Sequence, residues 1–168
     1  MKAVVPDSSV LSALKTLNCF THLKKLATMK NWVMVVPNPV LEEVRNNIDI
    51  MELRKAINCR ICTIDLDDLT DLRNRFPALA DGELAVLFLT LYFKDFGIKT
   101  DEAIAILDDK TARSIANKLK INYFGTLRLL KIMLDNGILT KPQFYAFIQK
   151  LRESGFRFTD AVIHNIIG

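Results

Sequence analysis

The stretch AIAILDDKTARSIA, Ala103 to Ala116, changes its hydrophobic period within a few residues. Ala103 to Leu107 is continuously apolar and reads as a strand. After Asp108-Asp109, the residues Ala112, Ile115, Ala116 and Leu119 fall three or four apart, on one helical face from Thr111 to Leu119. A strand running directly into an amphipathic helix is half of a βαβ crossover, the connection that joins parallel strands.

The same unit opens the chain. Lys2 to Val5 is a short β-branched strand that ends at Pro6-Asp7-Ser8-Ser9. Ser8 or Ser9 is the expected N-cap of a helix carrying Val10, Leu11, Leu14 and Leu17 on one face. A second helical stretch runs from Thr21 to about Met29. Trp32 to Val36 is a strand apolar throughout, as one covered on both faces should be. Pro37 and Pro39 stand where a helix begins, with Val40, Val44 and Ile48 on its buried side. A charged helix near Met51 to Ile57, a third strand from Arg60 to Ile64 and a solvated helix from Asp65 to Phe76 follow. Asp81-Gly82-Glu83 begins the longest apolar helix, reaching about Phe96; being apolar nearly all round, it should be the central buried one. Ile121 to Phe124 is a fifth strand, and Gly125-Thr126 turns into a helix that ends near Asn136-Gly137. Lys141 to Glu153 and Thr159 to Ile167 are the last two helices. The order predicts an α/β protein: a three-layer α/β/α sandwich around a parallel sheet of about five strands. One domain should span 1–168, the helices from about residue 140 either forming a small appendage or completing the core.

Composition agrees with a globular chain. Of 168 residues half are hydrophobic and a quarter charged, with a formal net charge of +4. That mild basic excess is compatible with a polyanionic partner. Cys19, Cys59 and Cys62 form no even set, and Cys59 and Cys62, three apart in an apparent strand, point to opposite faces. They read as structural thiols of a reducing compartment. The first residues carry no signal-peptide pattern, and the most apolar run, Leu84 to Phe93, is far shorter than the ~20 residues of a membrane span. The expected location is cytoplasmic, with no membrane partner.

The acidic residues fall where a parallel sheet collects ligands, outside the carboxyl ends of its strands. Asp7 follows strand one, Glu42 and Glu43 lie on the helix after strand two, Glu83 opens the buried helix, and Asp108 and Asp109 follow strand four. Taken singly, these are ordinary helix caps or first-turn acids favoured by the helix dipole. Taken together, they would repel one another unless a hard cation bound there, and all-oxygen ligands favour Mg²⁺ or Mn²⁺ over zinc.

The segments VVPDSSVL, VVPNPVLEEV, ADGELAVLFL and AILDDKTARSIA resemble, in order and spacing, the strand-one Asp, Pro-x-x-Val-x-x-Glu helix, Gly-Glu helix and Asp-Asp strand end of the PIN-domain family. FGTLRLLKIMLDNGIL is similar to a Gly-Thr-Leu stretch of one of its subgroups. The resemblance covers nearly the whole chain. It implies a toxin-type ribonuclease with Asp7, Glu43, Glu83 and Asp108 as catalytic metal ligands, Asp109 as a fifth, and Ser9 as the small polar residue near the metal. Glu43 is preferred to Glu42 because it directly precedes the apolar Val44; many family members carry Asp where Glu83 stands. The implied reaction is two-metal hydrolysis of phosphodiesters in single-stranded RNA.

Lys110, Arg113 and Arg128 would frame the phosphates, and Thr126 opens a helix whose N-terminus suits one. Beyond RNA, an antitoxin-like protein inhibitor is a partner the resemblance implies. A homodimer surface near Phe144, Phe147, Phe156 and Phe158 is a further expectation. His22 and His164 lie away from these motifs. A haloacid-dehalogenase-like phosphatase would need a second Asp two residues after the first, where Ser9 stands. The principal alternative is a catalytically degenerate PIN-like module that binds RNA or a protein without cutting.

Overall fold

Ala3, Val4 and Val5 are wholly buried because their strand lies in the middle of the sheet. The computed structural model describes residues 1–167; Gly168, the end of the expected domain, lies outside them. The strands are β1 (Lys2–Pro6), β2 (Trp32–Pro37), β3 (Arg60–Cys62), β4 (Glu102–Ile106) and β5 (Tyr123–Phe124). All pair in parallel, in the order β3-β2-β1-β4-β5. Ten α-helices occur among the described residues: α1 (Ser8–Thr16), α2 (Phe20–Lys30), α3 (Asn38–Val44), α4 (Ile50–Ile57), α5 (Thr70–Arg75), α6 (Asp81–Leu91), α7 (Lys110–Lys118), α8 (Thr126–Asp135), α9 (Lys141–Glu153) and α10 (Asp160–Ile167). The result is the expected three-layer α/β/α arrangement. No described helix is long and apolar enough to cross a membrane.

The chain builds outward from β1 in one direction, through β2 and β3, then returns to lay β4 on the other side of β1. This reversal opens a crevice at the carboxyl ends of β1 and β4, the preferred ligand position in open α/β sheets. Helix α6 packs against β1, β2 and β4, with all of Leu84 to Leu87 buried. One core cluster runs from Ala3 to Ile163 and includes Phe144, which is wholly buried and so unavailable to the surface for which it was a candidate.

Several elements differ from the sequence reading: β5 is only Tyr123–Phe124 and not Ile121 to Phe124, and α3 ends at Val44, short of Ile48. β3 stops at Cys62 and not at Ile64, because its partner runs out: Cys62 pairs with Pro37, after which the neighbouring chain turns into α3. The Ile64 N–H donates instead to the Asn38 side chain at 2.7 Å. The charged run after Asp65 is divided between a 3-10 turn at Leu66–Leu69 and α5. The apolar helix ends at Leu91, followed by a 3-10 turn at Phe93–Phe96 that closes on Gly97 with φ of 69°. That turn brings Phe96 to 6.0 Å from Phe88 and lets Arg60 donate to the Phe96 and Gly97 carbonyls. The three cysteines are free thiols; Cys59 precedes β3, and Cys62 and Cys19 are buried.

Candidate active site

The backbone N–H of Asp7 donates to the Ile106 carbonyl at 3.1 Å, carrying the β1–β4 ladder one residue past Pro6 into the crevice. Its side chain turns inward and is only 2% exposed. Oδ1 accepts the Val10 N–H and the Ser9 hydroxyl, each at 2.9 Å. Asp7, not Ser8 or Ser9, is therefore the N-cap of α1: it has extended backbone (φ −85°, ψ 176°), whereas the serines already lie in the helix. Burial pushes the Asp7 carboxyl up to about 7. The Val10 amide and Ser9 hydroxyl pull it back, and the Asp108 and Glu83 carboxylates push it further up.

Glu43 and Glu42 point to different surroundings. Glu42 pairs with Arg45 at 2.9 Å, both exposed. Glu43 reaches the end of β1, where its Oε2 accepts the Ser8 hydroxyl at 2.7 Å. Helix α6 crosses behind it with Gly82 at the contact: a methyl group there would lie 1.9 Å from Glu43 Oε1. Gly82 is thus the notch that seats Glu43. The next residue, Glu83, accepts the Ala80 N–H at 3.3 Å through Oε1, half of a capping box that Ala80 has no side-chain acceptor to complete. Its Oε2 is buried with no hydrogen-bond partner. Burial raises the Glu83 carboxyl, the Ala80 amide lowers it, and Asp109 and Glu43 raise it further.

Beyond β4 the two aspartates part. Asp108 accepts the Thr126 N–H at 2.8 Å and the Thr126 hydroxyl at 2.6 Å. Gly125 makes room for it, since a Cβ there would lie 2.8 Å from Asp108 Oδ1. Burial raises the Asp108 carboxyl, while Thr126 and the Arg113 guanidinium lower it. Asp109 is exposed and caps α7, accepting the Ala112 N–H at 2.9 Å. Thr126 is fully buried and spends both its donors on Asp108, which leaves neither for the phosphate assigned to it.

Of the expected cations, Arg113 and Arg128 line a groove of about 600 Å³ that Asp108 also lines. Lys110 lies on a different groove, with Phe76 to Ala78 and Lys118, so it is not brought to the two arginines. Sequence reasoning missed Ser8, Gly82 and Gly125. A glycine in the first turn of an otherwise apolar helix was the available signal for a close approach.

Among the described residues, no three His, Cys, Asp or Glu side chains already stand close enough to enclose a metal ion. Ser8, Ser9 and Thr126 instead donate to Glu43, Asp7 and Asp108. The donor chemistry nonetheless fits a hard divalent cation. All the groups are carboxylates, acidic neighbours raise the affinity of Asp7 and Glu83 for protons, and Glu83 Oε2 is buried without a partner.

No curated protein matches the chain. A family model described as PIN domain matches residues 3–168. With the match running from the first strand through the last helix, the chain belongs to the PIN-domain family.

Proposed function

We propose that this protein is an endoribonuclease that hydrolyses phosphodiester bonds of single-stranded RNA with Mg²⁺ or Mn²⁺ held by Asp7, Glu43, Glu83 and Asp108. PIN domains are in general nucleases and typically use divalent metals. One observation carries the finer reading. The four carboxylates gather around the crevice, yet among the described residues none of them forms an ion pair with a lysine, arginine or histidine. Asp7 is buried and Glu83 and Asp108 are half-buried, with Glu43 at the exposed rim; negative charge drawn inward without an ion-pair partner suits a ligand that supplies the positive charge.

Asp7 is the central ligand in this reading, because it alone sits on the β1–β4 crevice with neighbours on both sides. Ser9 and the Val10 amide fix its Oδ1 and thereby the direction of its second oxygen. Ser8 and the Gly82 notch hold Glu43 on the other flank, and Thr126 orients Asp108. Asp109 acts indirectly, through its cap of α7 and its repulsion of Glu83. A divalent cation bound there would lower the pKa of attacking water and stabilise charge on the phosphate and leaving oxygens. Both histidines lie elsewhere, His22 against Phe147 and His164 in a groove with Tyr145 and Arg152, and carboxylates that hold a cation favour metal-activated water as the nucleophile.

The test is incubation of single-stranded RNA with the protein in Mn²⁺, with and without excess EDTA. The expected result is cleavage only with metal, leaving a 5′-phosphate and a 3′-hydroxyl. A 2′,3′-cyclic phosphate product would exclude the mechanism, and RNA binding without cleavage would favour the degenerate module.

A further inference from the structure

The groove beside Asp108 draws on a part of the chain that the carboxylates do not use. Arg113 comes from α7, Tyr123 from β5 and Arg128 from α8. The rest comes largely from the segment Phe156–Phe158 and from α10. Gly155, with φ of 93°, adopts the left-handed backbone that turns the chain out of α9 into that segment. The volume, about 600 Å³, lies within the ~300–1,000 Å³ typical of small-ligand pockets.

Charge and shape define what fits. Arg113, Arg128 and Arg157 are all exposed, and among the described residues none is in an ion pair. Asp108 is the one acidic residue in the lining described, so three guanidinium groups face a single carboxylate. The groove is therefore basic where the crevice next to it is acidic. Its aromatic rings are half-buried and already set. Tyr123 lies beneath the Arg113 guanidinium at 5.6 Å and accepts a hydrogen bond from Asn117. Phe158 is backed by the Arg152 guanidinium at 4.8 Å, which Asp160 holds, and Phe156 sits 6.0 Å from it. An acidic peptide would satisfy the arginines, but its charged side chains bring no flat π-face to the rings unless an aromatic residue accompanies them. A nucleotide brings both.

We infer that the Phe156–Phe158 segment holds one unpaired nucleobase of the substrate beside Asp108, while Arg113, Arg128 and Arg157 hold the flanking phosphates. The site then selects single-stranded character over base sequence. In a duplex both faces of every base are covered, so none can stack on these rings; a free base of any kind can. The occupant's being RNA rests on the nuclease reading above.

Binding of fluorescein-labelled RNA to the full-length protein in EDTA separates the two claims, because it needs no cleavage. The probes are a single strand, its duplex, and the same strand with abasic positions. Wild type should prefer the intact single strand to both others. Phe156→Leu/Phe158→Leu, which keeps apolar packing but removes the π-faces, should lose roughly 5- to 150-fold in affinity for the intact strand, with little change for the abasic one. Arg157→Gln, at an exposed position, should weaken both strands and reduce the log-log salt slope by about one unit. A strand carrying 2-aminopurine should change its fluorescence on binding wild type, as the base leaves its strand neighbours for the rings, a measurement that survives even if the double variant fails to fold. Absence of any fluorescence change, duplex binding as tight as single-strand binding, or displacement of RNA by an acidic peptide as readily as by RNA would each overturn the inference. Cleavage in Mn²⁺ with equal binding of the intact and abasic strands in EDTA would leave the nuclease standing and remove the stacking site. Base-dependent binding without cleavage would do the reverse.

Discussion

The ends of β1 and β4 solve the same problem in two ways. Each strand runs straight into a helix whose first amides need an acceptor, and each must also present a carboxylate to the crevice. At β1 a single residue does both: Asp7 caps α1 and is buried among acidic neighbours. At β4 the tasks are divided, Asp109 capping α7 from the solvent side while Asp108 turns inward onto Thr126. A helix cap and a site residue are thus not competing explanations for an acid at a strand end. What separates them is burial and the source of the second hydrogen bond. Asp7 is buried and Asp108 half-buried, and both are held by hydroxyls; Asp109 is exposed, and the bond it accepts is from its own helix.

The largest effect should come from testing that division by activity. Asp108→Asn should reduce metal-dependent cleavage by more than the ~10–100-fold typical of losing an outer-shell partner, and Asp7→Asn likewise. Asp109→Asn should change it by only a few-fold, since Asn caps helices about as well as Asp. Single-turnover cleavage rates in Mn²⁺ provide the comparison. Equal losses at Asp108 and Asp109 would mean that both face the metal.

Next in size is a stability effect at the undivided junction. The unfolded chain releases the Asp7 proton near 3.8, whereas the folded chain holds it until about 7. The folded state therefore binds more protons between those values, and Asp7 costs stability progressively as pH rises through the window. At about 1.4 kcal/mol per pKa unit, the full cost above pH 7 is on the order of 4 kcal/mol. Asp7→Asn keeps an oxygen to accept the Val10 N–H and carries no charge. In EDTA it should be more stable than wild type at pH 8 and lose that advantage by pH 4. Urea melts at the two pH values measure this; a variant less stable at pH 8 would make Asp7 chiefly a structural cap. Mn²⁺ at 100 times its dissociation constant should add about 2.7 kcal/mol to wild type and much less to the variant.

A smaller loss is expected where the crevice is shaped and not charged. Gly82→Ala places a methyl 1.9 Å from Glu43 Oε1, and the flexible end of Glu43 must swing away from Ser8. Cleavage should fall roughly 10-fold, within the range for losing a positioning contact, while the thermal midpoint holds or rises because Ala is the better helix former. Unchanged cleavage would show that Glu43 needs no seat.

Most of the fold was legible because it follows from periodicity: alternating apolar runs and amphipathic stretches located every strand and nearly every helix. The acids were legible for a related reason, since strand ends in a parallel sheet share one edge. What stayed hidden depended on distance in sequence. Ser8 meets Glu43, and Asp108 meets Thr126 and the Phe156–Phe158 segment, only after folding. No local pattern marks such a partner, so Thr126 read as a phosphate site and the phenylalanines as core or dimer surface. Lys110 and Arg113, three apart on α7, looked like one track; they line different grooves.

The smallest expected effect isolates what capping alone contributes. Asp109→Ala removes the acceptor for the Ala112 N–H, leaving one of the first amides of α7 to water. Because Asp109 is exposed, that amide can be solvated, and the loss should be about 1 kcal/mol, within the ~0.5–2 kcal/mol range for N-cap truncation. Removal of Asp109 also takes away a charge that raises the Glu83 carboxyl, so metal affinity should move little or slightly weaken. Asp109→Asn restores the cap without the charge. The pair therefore separates hydrogen bond from electrostatics: Ala less stable than wild type, Asn equal to it, and cleavage within a few-fold for both. If Asn is destabilised as much as Ala, the carboxylate is stabilising α7 through the helix dipole and not through the bond to Ala112. If cleavage collapses in Ala but not in Asn, the cap is what holds the β4 junction, and Asp108 with it, in place.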